Sequence, residues 1–224
     1  PFRLKAFLAG NTGPSSAGWF RKPIASADDL AGLRIRVTGL GGEVLKRLGA
    51  TPMVIAPSET YQALERGLVD AAEFLAPVND AALGLQRVAP HLAFPGFNKP
   101  NGASELQIGL PHWSALPEHL RMIIQTACRA EHDEGLADAE RGNATALRQV
   151  VSAGAQPMLL PNDLLEKASV AAAEVLAEIA GRDRISQQIV ESYQSAMNLS
   201  GPWQQAQGLQ RMVAFRKAPL PNRP

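Results

Sequence analysis

The sequence predicts an α/β fold: a parallel sheet with short crossover helices, then one very long helix and a helical C-terminal region. Three observations carry this. Residues 33–74 run strand, glycine turn, helix, strand, helix, strand, and strands alternating with helices form parallel sheets joined by right-handed crossovers. Residues 118–153 hold no proline and keep apolar residues at helical spacing. Beyond residue 163 the apolar spacing stays helical.

Taken in order, residues 2–8 alternate weakly and read as an entering strand, and 11–18 is a loop rich in Gly, Pro and Ser. Ser26 followed by Asp29 is a capping-box pattern that opens a brief helix over 27–31, stopped by Gly32. Leu33, Ile35 and Val37 alternate with Arg34, Arg36 and Thr38, the period of a half-buried strand. Gly39, Gly41 and Gly42 form the turn into a helix over 43–48, with Gly49 past its end. A strand over 52–56 follows, then a helix over 59–66 capped by Ser58 and closed by Gly67. The third strand covers 69–75 and ends at Pro77.

Residues 79–88 read as helical, 91–102 as irregular because PGFNKP interrupts them, and 105–110 as a strand. The long helix spans 117–153, with Pro117 suited to its first turn and Gly154 to its C-cap. Unbroken, it would be about 55 Å long, and Gly135 and Gly142 predict a bend. Asn162 and Gly181 bracket a helix over 163–180 whose stripe is Leu164, Ala168, Ala171, Val175 and Ile179. Helices over 185–197 and 203–215 and a mobile Pro-rich tail after Lys217 complete the chain.

The bulk properties narrow the function classes. The 224 residues suffice for one large domain or two small ones. Hydrophobic residues make up 46% of the chain and mean hydropathy is -0.09, as in soluble globular proteins. With 22 Lys and Arg against 21 Asp and Glu, the net charge of +1 gives no reason to expect nucleic acid or an acidic membrane surface. No apolar run reaches the roughly 18 residues of a membrane span. The opening PFRLKAFLAG lacks the continuous apolar core of a secretory signal, so an export segment was either removed or never present. Cys128 stands alone and reads as a small apolar residue on a helix.

Candidate site residues cluster at the carboxyl ends of the strands, where open α/β sheets bind ligands. Arg36 ends the first strand, and its guanidinium can hold a carboxylate through two parallel hydrogen bonds or serve as a structurally paired arginine. Arg34 lies deeper and reads as structural. Gly39 belongs to the TGLGG turn, whose N–H groups can face an anion or simply make a tight turn. It is neither a dinucleotide fingerprint nor a phosphate loop. Glu73 ends the third strand. It can accept a ligand hydroxyl, pair with Arg36 or Lys99, ligate a metal, or close the empty cleft as a salt bridge. Phe74 and Phe97 supply an apolar wall, and Asn79 and Lys99 complete the candidates read from the residues themselves. His91, His112, His119 and His132 lack metal-ligand spacing, and no nucleophile elbow is present, so no covalent chemistry is expected.

The ordered segments GNTG, GWFRKPI, DDLAGLRIRVTGLGGEVLKRLGATP, SETYQALERGLVDAAEF and PGFNKP resemble the periplasmic solute-binding proteins of TRAP transporters, the DctP type. The resemblance implies a periplasmic-binding-protein-like (type II) two-lobed fold with a long lobe-spanning helix. It divides the chain into a second-lobe α/β subdomain (10–76), a return segment to the first lobe (77–116), the connecting helix (117–154), a C-terminal helical region (155–217) and a tail (218–224). It implies no catalysis, a periplasmic location, a small carboxylate ligand and delivery to sodium-driven TRAP permease subunits. Arg36 matches the arginine that pairs with the ligand carboxylate, and Phe74 stands where many relatives that bind 2-oxo acids carry Trp. That branch often bridges ligand and protein with a metal held by a Gln and a Glu. Here Ser15 and Lys99 occupy those places, so no metal and no cofactor is expected: a calcium site needs about six oxygens, and an ammonium repels a cation. Lys99 is expected to take the cation's role, or to be a loop lysine beside a lost site.

The early strands of lobe one are missing from this sequence, so the first lobe reads as truncated. A half-built lobe exposes apolar surface that invites a partner chain, a homodimer included. The leading reading is a binding protein for a 2-oxo, 2-hydroxy or aromatic monocarboxylate. The alternative is a ligand-sensing or interaction module derived from one, and an enzyme comes third.

Overall fold

The computed structural model describes residues 2–207. In chain order these form β1 (Leu4–Asn11), β2 (Gly18–Phe20), β3 (Arg34–Arg36), α1 (Leu40–Arg47), β4 (Thr51–Met53), α2 (Thr60–Glu65), β5 (Ala71–Ala72), α3 (Pro77–Asp80), β6 (His91–Phe94), β7 (Ala103–Gly109), α4 (Leu110–Ala115), α5 (Glu118–Ser152), β8 (Gln156–Leu159), α6 (Asn162–Ala180) and α7 (Arg184–Gln207). The chain parts into two units between Ala171 and Ala172. The first holds both sheets and the helices through the start of α6. The second holds the end of α6 and α7, in which Val175 and Val190 are buried.

In the first unit, β1 and β7 form an antiparallel ribbon running from the Leu4–Gly109 pair to Asn11–Ala103. The helix α5 lies along it: His132 Nδ1 donates to the Gly10 carbonyl at 3.0 Å, and Gly135 approaches the Asn11 backbone so closely that a Cβ there would lie 3.2 Å from Asn11 N. The other six strands make one sheet in the order β4-β3-β5-β2-β6-β8. The pairs β3–β4, β3–β5 and β6–β8 are parallel, while β2 runs antiparallel to both β5 and β6.

Side chains alternate across this sheet and split the core in two. Phe20, Ile35, Ala71 and Ala93 join Leu30, Leu45 and Leu164 on one face. Trp19, Ala72 and Leu92 join Leu64, Val69, Leu85 and Val150 on the other. Gly18 is required where β2 enters. Its φ is +131, and a Cβ would lie 2.7 Å from the Ala72 carbonyl oxygen.

Several local expectations are corrected. The sheet is mixed, because β2 inserts antiparallel between the two parallel halves. The stretch 91–102 is irregular only after Phe94, since His91–Phe94 gains hydrogen-bonded neighbours on both sides. The strand β8 was not foreseen, and it lies inside the region read as wholly helical. Gly41 and Gly42 belong to the first turn of α1 rather than to the turn before it; a Cβ on Gly41 would meet Asn98 Nδ2 at 3.0 Å, so small residues let the helix lie against the 95–102 loop. Ser58 does not cap α2. A 3₁₀ turn over Pro57–Glu59 runs straight into the helix, and Thr60 Oγ1 donates to the Ala56 carbonyl at 3.1 Å. The helix expected over 79–88 is α3 followed by two 3₁₀ turns, broken at Gly84 with φ +63. The helices expected over 185–197 and 203–215 are one continuous α7 through Pro202 as far as Gln207. Residues 208–215 and the tail after Lys217 lie outside the described residues.

Candidate functional site

Parallel pairing brings two charges to the same sheet edge. Arg36 is in register with Ala72, so the next residue, Glu73, begins where β3 ends, and Glu73 N donates to the Arg36 carbonyl at 2.8 Å. Alternation turns Arg36 to the face of Trp19 and Ala72, and it is buried. Its guanidinium is held at two points: Nε donates to the Ile55 carbonyl at 3.1 Å and Nη1 to the Glu73 carbonyl at 2.6 Å. The Arg36 guanidinium carbon lies 5.2 Å from the Phe74 ring centroid, within cation–π range. Nη2 has no hydrogen-bond partner among the described residues.

The loop after β6 brings Lys99 to the same place. Its Nζ lies 2.7 Å from Glu73 Oε1 and donates to the Phe74 carbonyl at 3.1 Å. Glu73 is 1% exposed and Lys99 32%, so the pair joins a wholly buried carboxylate to a partly exposed lysine. Glu73 Oε2 is buried with no hydrogen-bond partner, a state uncommon enough in folded proteins to mark the position. Gly96 anchors this loop: its N–H donates to the Ser15 carbonyl at 3.2 Å, and a Cβ would stand 2.3 Å from that same oxygen.

Arg36 and Lys99 are thus each brought onto the Glu73–Phe74 pair, Arg36 through the Glu73 carbonyl and the Phe74 ring and Lys99 through the Glu73 carboxylate and the Phe74 carbonyl. Ser15 and Phe97 lie on a neighbouring cavity of about 630 Å³, walled also by Pro14, Pro77, Phe94 and Leu147, whose lining does not include Arg36 or Lys99. Ser15 Oγ is buried without a partner. Asn79 is exposed on α3, and Gly39, with φ +67, is exposed ahead of α1. Neither touches the charged cluster through a described hydrogen bond or ion pair. Arg34 pairs with Asp70 instead, through Nε–Oδ2 at 2.9 Å and Nη2–Oδ1 at 2.8 Å on the surface.

Sequence reasoning missed Asp80. It is fully buried and accepts the Trp19 indole N–H at 2.7 Å and the Leu75 N–H at 3.2 Å. Burial pushes its carboxyl up to about 6, and the Glu73 charge adds to that, while the two hydrogen bonds and Lys99 oppose it. A buried tryptophan needs an acceptor for its N–H, so Trp19 was the signal that an unassigned acceptor stood nearby, and the fold makes it Asp80. Among the described residues no group of three or more His, Cys, Asp or Glu is arranged to hold a metal ion. The arrangement presents a buried guanidinium with one uncommitted nitrogen against an aromatic ring, and a partly exposed ammonium on the adjoining Glu73–Phe74 pair.

Comparison with known proteins bears on this geometry. The family model of DctP, the bacterial extracellular solute-binding proteins of family 7, matches residues 3–183. The chain is 32% identical over 194 residues to the monocarboxylate 2-oxoacid-binding periplasmic protein of Nostoc sp., covering 87% of this chain and 53% of the relative. It therefore spans about half the length of that curated relative. Among solved structures it resembles a TRAP transporter solute binding protein from Bordetella bronchiseptica, a mixed-occupancy dimer with copurified calcium and picolinate in its bound site. The TM-score is 0.89 at 29% identity, over 97% of this chain and 66% of that one. It also resembles a TRAP periplasmic solute binding protein from Pseudoalteromonas atlantica with bound sodium and pyruvate, with a TM-score of 0.85 at 29% identity over 95% of this chain and 64% of that one. No described helix is long and apolar enough to cross a membrane.

Proposed function

The chain belongs to the bacterial extracellular solute-binding proteins of family 7, and from that premise we propose that it binds a small 2-oxo, 2-hydroxy or aromatic monocarboxylate outside the cytoplasm. It hands this ligand, chemically unchanged, to TRAP-type permease subunits. One observation carries the reading: Arg36 is buried and held by two main-chain carbonyls, yet keeps Nη2 uncommitted. A guanidinium fixed in this way has already lost its rotamer freedom, so a carboxylate that meets it does not bear that ordering cost. Phe74 covers one face of the group and Lys99 brings a second cation. The relatives that hold pyruvate or picolinate give the ligand class its first candidates.

Calorimetric titration with pyruvate, picolinate and a neutral amide control tests the reading. Saturable binding of at least one monocarboxylate, with the ligand recovered intact, is the expected result. No saturable heat from any acid of a broad monocarboxylate panel, or conversion of the ligand to a product, would remove it.

A further inference from the structure

The two related structures above hold calcium with picolinate and sodium with pyruvate, and the residues of this chain do not fit a metal in that role. A hard cation would need several oxygens converging on one point. Beside Arg36, the Ile55 and Glu73 carbonyls are taken by its guanidinium at 3.1 and 2.6 Å, and a cation already sits on two of the remaining oxygens: Lys99 Nζ lies 2.7 Å from Glu73 Oε1 and 3.1 Å from the Phe74 oxygen, which leaves Glu73 Oε2 alone. We propose that the Lys99 ammonium is a covalently tethered cation that takes the place of the metal, so that this chain binds its carboxylate without sodium or calcium.

The chemistry agrees with the geometry. An ammonium has three donors; one goes to the Phe74 carbonyl, and the charge is paired with Glu73 Oε1 at 2.7 Å. Its remaining donor capacity is open to a ligand oxygen, since Lys99 is partly exposed. Its charge repels a second cation from the same oxygens, so metal entry would first require Lys99 to leave a buried carboxylate. A tethered charge also needs no filling from solution. A metal-bridged site gains affinity with cation concentration by mass action, whereas this one has its cation at full occupancy at all times.

The inference rests on the carboxylate-binding reading for its ligand, and the test keeps the two apart. In the first arm, calcium chloride and then sodium chloride are titrated calorimetrically into the metal-free protein without any carboxylate, using the parent and Lys99→Glu. The parent should give no saturable heat. Lys99→Glu, its fold checked by circular dichroism and with Lys99→Gln as the milder control, should bind calcium saturably. Saturable calcium or sodium binding by the parent overturns the proposal, as does failure of a folded Lys99→Glu to gain calcium. In the second arm, pyruvate and picolinate are titrated into the parent in chelator and in millimolar calcium at fixed ionic strength. The dissociation constant should agree within twofold, and a tenfold tightening with calcium overturns the inference. Absence of carboxylate binding under both conditions defeats the functional reading alone, and the first arm still decides the identity of the cation.

Discussion

Trp19 donates its indole N–H to Asp80 Oδ2 across 2.7 Å, which ties the fully buried tryptophan of β2 to the short helix leaving the Arg36–Glu73 edge. The carboxylate of this pair has its affinity for a proton raised by burial, from 3.8 to about 6. It therefore favours the native state when protonated. That contribution is complete below the unfolded value of 3.8 and is lost as pH rises through about 6.

Asp80→Ala should accordingly show a pH-dependent penalty. The stability gap between parent and variant, measured by urea denaturation, should be larger at about pH 5 than at about pH 8, by roughly 1 kcal/mol. The unpartnered Trp19 and Leu75 N–H groups add a cost that does not change with pH. A gap that widened toward alkaline pH would contradict the burial argument.

Lys99→Met strips the counter-charge from a carboxylate that is 1% exposed. Urea denaturation at neutral pH should show a loss of about 3 kcal/mol, the scale for stranding one member of a buried pair. Adding Glu73→Gln should restore at least half of the loss, because the stranded charge is then gone. Strict additivity of the two substitutions would mean that the pair is not coupled.

Gly96→Ala forces a Cβ to within 2.3 Å of the Ser15 carbonyl oxygen and 2.8 Å of that of Ser16. Backbone must move, and with it the loop that carries Phe97 and Lys99. A loss of about 2 kcal/mol is expected on the overpacking scale, measured by thermal or chemical denaturation, together with weaker pyruvate binding.

Arg36→Lys keeps the charge but removes the planar fork that donates to Ile55 and Glu73 while leaving Nη2 uncommitted. Calorimetry with pyruvate should record at least a roughly tenfold rise in dissociation constant. A variant that folds and binds as tightly as the parent would show that charge alone, without the fork, suffices at this position.

The local periodicities are written plainly in the chain. Alternation in Leu33–Val37, the capping box of Ser26 and Asp29, and the uninterrupted helical spacing of Glu118–Ser152 depend on neighbours a few residues apart, and each formed as an element. The antiparallel insertion of β2, the strand β8 and the continuation of α7 through Pro202 were not legible, because hydrogen-bonded neighbours and packing outweigh local propensity there.

The charged candidates divide in the same way. Sequence alone determined that Arg36 and Glu73 stand at strand ends, since a period of two and the turn residues fix where a strand stops. It left open whether Glu73 would meet Arg36, Lys99, a metal or a ligand, and it gave Asp80 no role. Tertiary structure decided both. The parallel register of β3 and β5 sets the Arg36 and Glu73 backbones side by side, the Gly96 loop delivers Lys99 to the buried carboxylate, and the indole of Trp19 claims Asp80. A charge removed from water is held by whichever partners the fold brings within hydrogen-bond reach, and that proximity spans separations of 26 to 61 residues that no local pattern encodes.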